Sequence, residues 1–249
     1  MRMMGIRILF IDPIGTTVFD KDMRNYLNEY KRKDTEIRTM SLPKGPKHLE
    51  YYSYCALVIP EVLRIVRKAE KENFDAVIIG CFYDPGLHEA REVTNMIITA
   101  PCESSVLIAS ALGHKFSIIV GRKKWIPLMM RNVINYGLKD RLTSFKAIGL
   151  GVYDFHKDEE ETKRRLINAA REAIAEGAEV LILGCTIFFG FYKELQKIVG
   201  VPVIDPVIAS LKYAELLVEV KKISGWSHSK VYEYEPPPES EIKAWKLEL

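Results

Sequence analysis

No apolar run in this 249-residue chain approaches the roughly 18 residues that a membrane span needs. The amino terminus, Met1-Arg2-Met3-Met4-Gly5-Ile6, leads into a strand without a signal-peptide pattern, so the expected setting is cytoplasmic, with no membrane partner. Cysteine is scarce too. Cys55, Cys81, Cys102 and Cys185 are too few and too dispersed for a disulfide scaffold, and none forms a paired metal-ligand spacing, so no metal is expected. A surplus of one charge is also missing: 36 basic residues face 33 acidic ones, interleaved over 64–72 and 157–176. Such a mixed, solvated surface argues against a nucleic-acid partner. A complete phosphate loop is lacking as well, because Gly121-Arg122-Lys123-Lys124-Trp125 does not have the required glycine spacing. Arg122 either holds a carboxylate or sits in an ordinary cationic loop.

What is present is a 48% hydrophobic composition, ample for one large or two small α/β domains. Two apolar runs stand out. Ala76-Val77-Ile78-Ile79 leads into Gly80-Cys81-Phe82-Tyr83-Asp84-Pro85-Gly86, and Val180-Leu181-Ile182-Leu183 leads into Gly184-Cys185-Thr186. Each cysteine therefore sits where a buried strand empties into a loop, the binding edge of an open α/β sheet. The two cysteines stand 104 positions apart, and the same offset aligns the helix end, turn and acidic residue before each strand. Met23-Arg24-Asn25 and Met130-Arg131-Asn132 repeat at an offset of 107. The chain reads as a duplication: two pseudo-symmetric lobes, each an open, mainly parallel sheet flanked by helices, with a cleft between them. Residues 1–100, completed by a helix over 207–222, form the first lobe; 101–206 form the second, and 223–249 a tail.

In order, the pattern predicts strands over 7–11, 35–40, 76–79, 95–100, 116–120, 147–152, 180–183 and 201–206. Helices are expected over 20–31, 49–58, 61–71, 87–92, 101–112, 159–176, 192–199 and 207–222. The break between 58 and 61 is placed at Pro60, which cannot continue a helix unbroken. Thr16 and Thr17, in the turn after the first strand, either line the binding edge or cap the next helix, and Glu103 and Ser104 either line a pocket or cap theirs. Cys55 and the five scattered histidines read as core, surface or capping residues. In the tail, Trp226, Tyr232, Tyr234 and Trp245 need a surface to pack on, the protein's own or that of a second subunit in a homo-oligomer.

Two thiols at equivalent places in a repeat can act on opposite faces of one carbon. A thiolate removes a proton from one side while a thiol donates one from the other, inverting the centre. The resulting enolate needs stabilisation, which backbone N–H groups after each cysteine can supply without metal or cofactor. No lysine stands out as a pyridoxal carrier.

The stretch from Phe74 to Leu87, with Ala90-Arg91-Glu92, resembles the first cysteine block of hydantoin racemases in the aspartate/glutamate/hydantoin racemase superfamily. Glu179 to Thr186 is similar to the second block, and the likeness runs from about Arg7 to Lys222. The resemblance implies a cofactor-independent two-base racemase with Cys81 and Cys185 flanking the substrate carbon of a small molecule: a hydantoin, an allantoin-like ureide or an amino-acid derivative. By position it places Asp12, Thr16, Thr17, Phe82, Tyr83, Glu103, Ser104, Gly121, Thr186 and Ile187 around the substrate. Asp12-Pro13-Ile14 stands where such racemases commonly carry Asn-Pro-Asn, and Ile187 where glutamate racemases carry histidine. Decarboxylases and maleate-type isomerases of the superfamily are alternatives, as is a non-catalytic two-lobed binding protein; both retained thiols speak against the first and the last.

Overall fold

A computed structural model describes residues 5–246. In chain order its elements are β1 (Ile6–Asp12), α1 (Asp20–Tyr30), β2 (Thr35–Ser41), α2 (Tyr52–Lys71), β3 (Ala76–Ile79), α3 (Leu87–Val93), β4 (Ile97–Thr99), α4 (Pro101–Leu112), β5 (Phe116–Val120), α5 (Ile126–Asn135), β6 (Leu142–Ala147), α6 (Glu159–Ala175), β7 (Val180–Leu183), α7 (Tyr192–Val199), β8 (Val203–Ile204), α8 (Pro206–Ser224) and α9 (Glu239–Ala244). Two compact units result. The first takes the chain up to Gly80, Pro85–Ala100 and Leu211 onward; the second takes Cys81–Asp84 and Pro101–Ser210.

The first unit is built on a parallel sheet in the order β2-β1-β3-β4. Residues 8–11 of β1 and all of β3 are buried, which is why both read as unbroken apolar runs rather than alternating ones. The second unit repeats the order, β6-β5-β7-β8, again all parallel. In each sheet the chain reverses direction of growth beside its first strand, between β1 and β3 and between β5 and β7, the switch point where open α/β sheets place their ligands. Helices pack by apolar stripes, as in α1, where Met23 and Leu27 are buried, and α5, where Met129 and Val133 are. Burying one such side chain contributes about 1.5–3 kcal/mol. These pairs set the repeat in the helices at 106 rather than the 107 of the Met-Arg-Asn match, because the buried face, not the identical letters, fixes the register.

Several expectations change. Residues 52–71 form one helix through Pro60. The missing N–H releases the carbonyl of Ala56, an exposed residue, while Cys55, Val62 and Val66 keep the core-facing side of the helix buried. The strand expected over 147–152 lies earlier, at β6, because Gly149 takes a left-handed φ of 77° that ends the extended run. Phe19, not Thr16 or Thr17, holds the N-cap position of α1. The unit boundaries also fall differently: the Cys81–Asp84 turn groups with the second unit, and the division near the last long helix lies inside α8.

The tail belongs to the first unit. Lys230 donates to the carbonyls at the end of α3, among them Thr94 at 2.7 Å, Tyr234 stacks on His88 at 6.0 Å, and Ile242 is buried. Trp226, Tyr232 and Trp245 remain exposed. No described helix is long and apolar enough to cross a membrane.

Candidate active site

Both strands that precede a cysteine end in the same way. The N–H of Gly80 donates to the carbonyl of Ile11 at 2.8 Å, extending the β1–β3 ladder by one residue, and the N–H of Gly184 donates to Ile119 at 2.7 Å across β5–β7. Glycine is required at both places by close approach. A Cβ on Gly80 would lie 2.2 Å from Cζ of Phe10, and one on Gly184 would lie 2.8 Å from Cγ1 of Val120. Cys81 and Cys185 follow directly, each half-buried and each a free thiol, whereas Cys55 and Cys102 are buried.

The backbone after the two thiols differs. Cys185 opens a 3-10 turn over Thr186–Phe188, with the N–H of Phe188 donating to its carbonyl at 3.1 Å. Cys81 opens a tight turn in which the N–H of Asp84 donates to its carbonyl at 2.9 Å; the nearest helix, α3, starts only at Leu87. The helix after Cys81 thus begins where the sequence pattern put it, at 87, and a turn intervenes between the thiol and the helix.

The candidate residues fall in both units. Cys81, Phe82, Tyr83, Glu103, Ser104, Gly121, Cys185, Thr186 and Ile187 all belong to the second; Asp12, Thr16 and Thr17 belong to the first. Phe82, Tyr83, Thr186 and Ile187 are buried next to their cysteines in sequence. Ser104 is fully buried, and its hydroxyl has no hydrogen-bond partner among the described residues. Gly121 serves its own loop: its carbonyl accepts the N–H of Gly149 at 2.7 Å, and a Cβ there would lie 2.4 Å from the carbonyl oxygen of Leu150.

Asp12 ends β1 with its carboxyl buried and Oδ2 without a hydrogen-bond partner among the described residues. Burial, with the charge of Asp20 adding to it, pushes this carboxyl up to about 8. Burial thus favours the protonated form, which can donate a hydrogen bond as well as accept one.

Three supporting residues escaped the sequence reading. Asp84 accepts from the N–H groups of Cys102 at 2.9 Å and Glu103 at 2.8 Å, and from the hydroxyl of Tyr136 at 2.7 Å. Thus α4 is capped by Asp84, not by Glu103 or Ser104. Burial pushes the Asp84 carboxyl up to about 7 against the pull of those three donors. Tyr136 sits 52 positions away, and no local pattern marks the pair. His156, expected at a surface or cap, donates through Nε2 to the carbonyl of Ile187 at 2.9 Å while its ring stacks on Phe191. It thereby ties down the loop behind Cys185.

A repeated parallel sheet with a glycine–cysteine step at each switch point defines a duplicated, open α/β scaffold. The chain belongs to the Asp/Glu/Hydantoin racemase family, whose family model matches residues 8–214. A hydantoin racemase from Pseudomonas sp. (strain NS671) is 36% identical over 230 residues, covering 92% of each chain, and one from Paenarthrobacter aurescens is 34% identical over 95% of this chain and 99% of its own. The crystal structure of an allantoin racemase from Pseudomonas fluorescens superposes with a TM-score of 0.87 at 27% identity, covering 93% of this chain and 97% of that one. The protein is thus an isomerase of the racemase type.

Proposed function

We propose that this racemase inverts the carbon beside the carbonyl of a 5-substituted hydantoin, or of an allantoin-like ureide, using Cys81 and Cys185 as the paired base and acid without a cofactor. The observation that carries the reading is the matched Gly80–Ile11 and Gly184–Ile119 strand ends, each followed by a half-buried free thiol. In one direction the Cys81 thiolate takes the ring C–H proton, the C–H electron pair moves into an enolate, and the Cys185 thiol returns a proton to the opposite face. The enzyme is left as thiol and thiolate exchanged, ready for the reverse direction.

Two features support a neutral cyclic imide over a free amino acid. Asp12 holds its proton at neutral pH and so suits the amide edge of a ring better than a carboxylate. Phe82, Ile187 and Phe188 place apolar bulk beside the two cysteines in sequence, fitting a substituted ring. The relatives named hydantoin and allantoin racemases point the same way. Four free thiols suit a reducing cytoplasm, and the exposed Leu216, Ile223 and Trp226 suit a homo-oligomer.

The test is racemisation of L-5-benzylhydantoin and of allantoin in deuterium oxide at neutral pH, against an enzyme-free blank. Loss of optical rotation with one deuterium entering at the inverted carbon is expected. Rotation that stays at the blank rate for both substrates, and for free amino acids, would reject the proposal.

A further inference from the structure

The turn that carries Cys81 is held in a conformation its own residues disfavour. Asp84 has a φ of 49°, in the left-handed region that a non-glycine residue rarely occupies, and it directly precedes Pro85, which pushes its predecessor toward extended backbone. Such outliers persist when the surroundings over-determine them. Here they do. The two carboxylate oxygens of Asp84 accept from the first turn of α4 and from Tyr136, the residue that ends α5, and the side-chain amide of Asn132, on α5, donates to the carbonyl of Tyr83 at 2.9 Å.

The α4 cap is also unusual in its source. The residue before Pro101 is Ala100, which has no side-chain acceptor, so the helix relies on a carboxylate from a turn many residues upstream. A helix needing only a cap takes a local serine or aspartate. One capped from the cysteine turn fixes that turn in return.

We propose that Asp84 and Tyr136 are positioning residues that set where the Cys81 thiol is presented. Both cysteines belong to the second unit, so this clamp holds Cys81 to the same body that carries Cys185. The proposal rests on the two-thiol reading for its consequence in catalysis, and on the hydrogen bonds alone for its consequence in thiol reactivity. The ionisable groups facing the Asp84 carboxyl are Tyr136 at the end of α5 and Glu103 and Cys102 from α4, and Cys102 in turn feels the charge of Cys81. Asp84 satisfies all three donors best when ionised, because protonation turns one acceptor oxygen into a donor.

The experiment uses the full chain with Tyr136→Phe, which keeps the ring and removes only the hydroxyl, and Asp84→Asn beside it. Iodoacetamide labelling followed by peptide mass spectrometry gives the rate at Cys81 relative to Cys185 in the same molecule, with buried Cys55 and Cys102 reporting any general loosening. The expected result for Tyr136→Phe is a change of about threefold or more in the Cys81-to-Cys185 ratio with Cys185 itself unchanged, and a fall of about tenfold in kcat with KM within about twofold, the pattern of a displaced reacting group. Asp84→Asn should move both readouts further. An unchanged ratio in both variants overturns the proposal, and so does a rise in labelling at Cys55 that accompanies any change, since that marks unfolding rather than positioning. Should Cys81→Ser racemise normally, the two-thiol reading falls while the labelling ratio still decides the clamp.

Discussion

The imidazole Nε2 of His228 accepts the backbone N–H of Ile98 at 2.9 Å, closing the outer edge of β4 with a residue of the tail. Only a neutral ring can accept. Burial, and then the charges of Arg91, Lys230 and Lys221, drive this histidine down to about 3 from an ordinary 6.5. The folded value lies below the unfolded one, so the contribution is complete above pH 6.5 and is lost as pH falls toward 3, where the unfolded chain binds the extra proton. Urea denaturation from pH 7 to 4 should show stability falling on the order of a few kcal/mol less steeply in His228→Gln than in the wild type. Parallel curves for the two proteins would refute this.

Asp12 works in the opposite sense. Its folded carboxyl keeps its proton up to about pH 8, while the unfolded carboxyl ionises near 3.8. As pH rises between those values the unfolded state alone releases a proton, and stability falls across that window. Asp12→Asn removes the effect. The variant should melt above the wild type at pH 8, with the gap closing near pH 4. A gap of equal size at both pH values would mean that Asp12 is already ionised in the folded protein.

The sheet cores and the two thiols were legible because their signals are local: β3 and β7 are buried along their whole length, and both are followed by a glycine where a Cβ would force its neighbours to shift. Asp84 was legible only as part of a turn. Its role depends on Tyr136 and on two amides of α4, partners set by tertiary structure and invisible to periodicity. The same holds for the tail, where Lys230 and His228 find acceptors and donors more than a hundred positions upstream. Pro60 misled the reading for a different reason: a local rule about helix breaking yielded to the packing of residues on both sides of it.

Single substitutions should separate Cys81 and Cys185 from the buried Cys55. Cys81→Ser and Cys185→Ser are each expected to lower racemisation by about a thousandfold, since a serine hydroxyl is a poor acid and a poor source of base at neutral pH. Thermal denaturation should be little changed, as both side chains are only half-buried. Cys55, pushed up to about 11 by burial, is a neutral core thiol, and Cys55→Ser should turn over normally while losing about 1–2 kcal/mol of stability. Chiral chromatography of the hydantoin product, run beside calorimetry, reads both quantities. Normal turnover by either Cys81→Ser or Cys185→Ser would remove that thiol from the mechanism.

The two glycines offer a test of the repeat itself. Neither has a positive φ, so the cost of adding a methyl group comes from space alone. At Gly80 the new Cβ would meet Cζ of Phe10 at 2.2 Å and the carbonyl oxygen of Ile11 at 2.9 Å; Phe10 is fully buried and has no room to turn aside. At Gly184 the corresponding distances are 2.8 Å to Cγ1 of Val120 and 3.0 Å to the carbonyl oxygen of Ile119, which smaller shifts relieve. Gly80→Ala should therefore cost roughly 3 kcal/mol and Gly184→Ala about 1–2 kcal/mol. Each displaces the strand end that delivers its own cysteine, so labelling should change at Cys81 in the first variant and at Cys185 in the second. Equal destabilisation with no change at either thiol would separate the glycine packing from the placement of the cysteines.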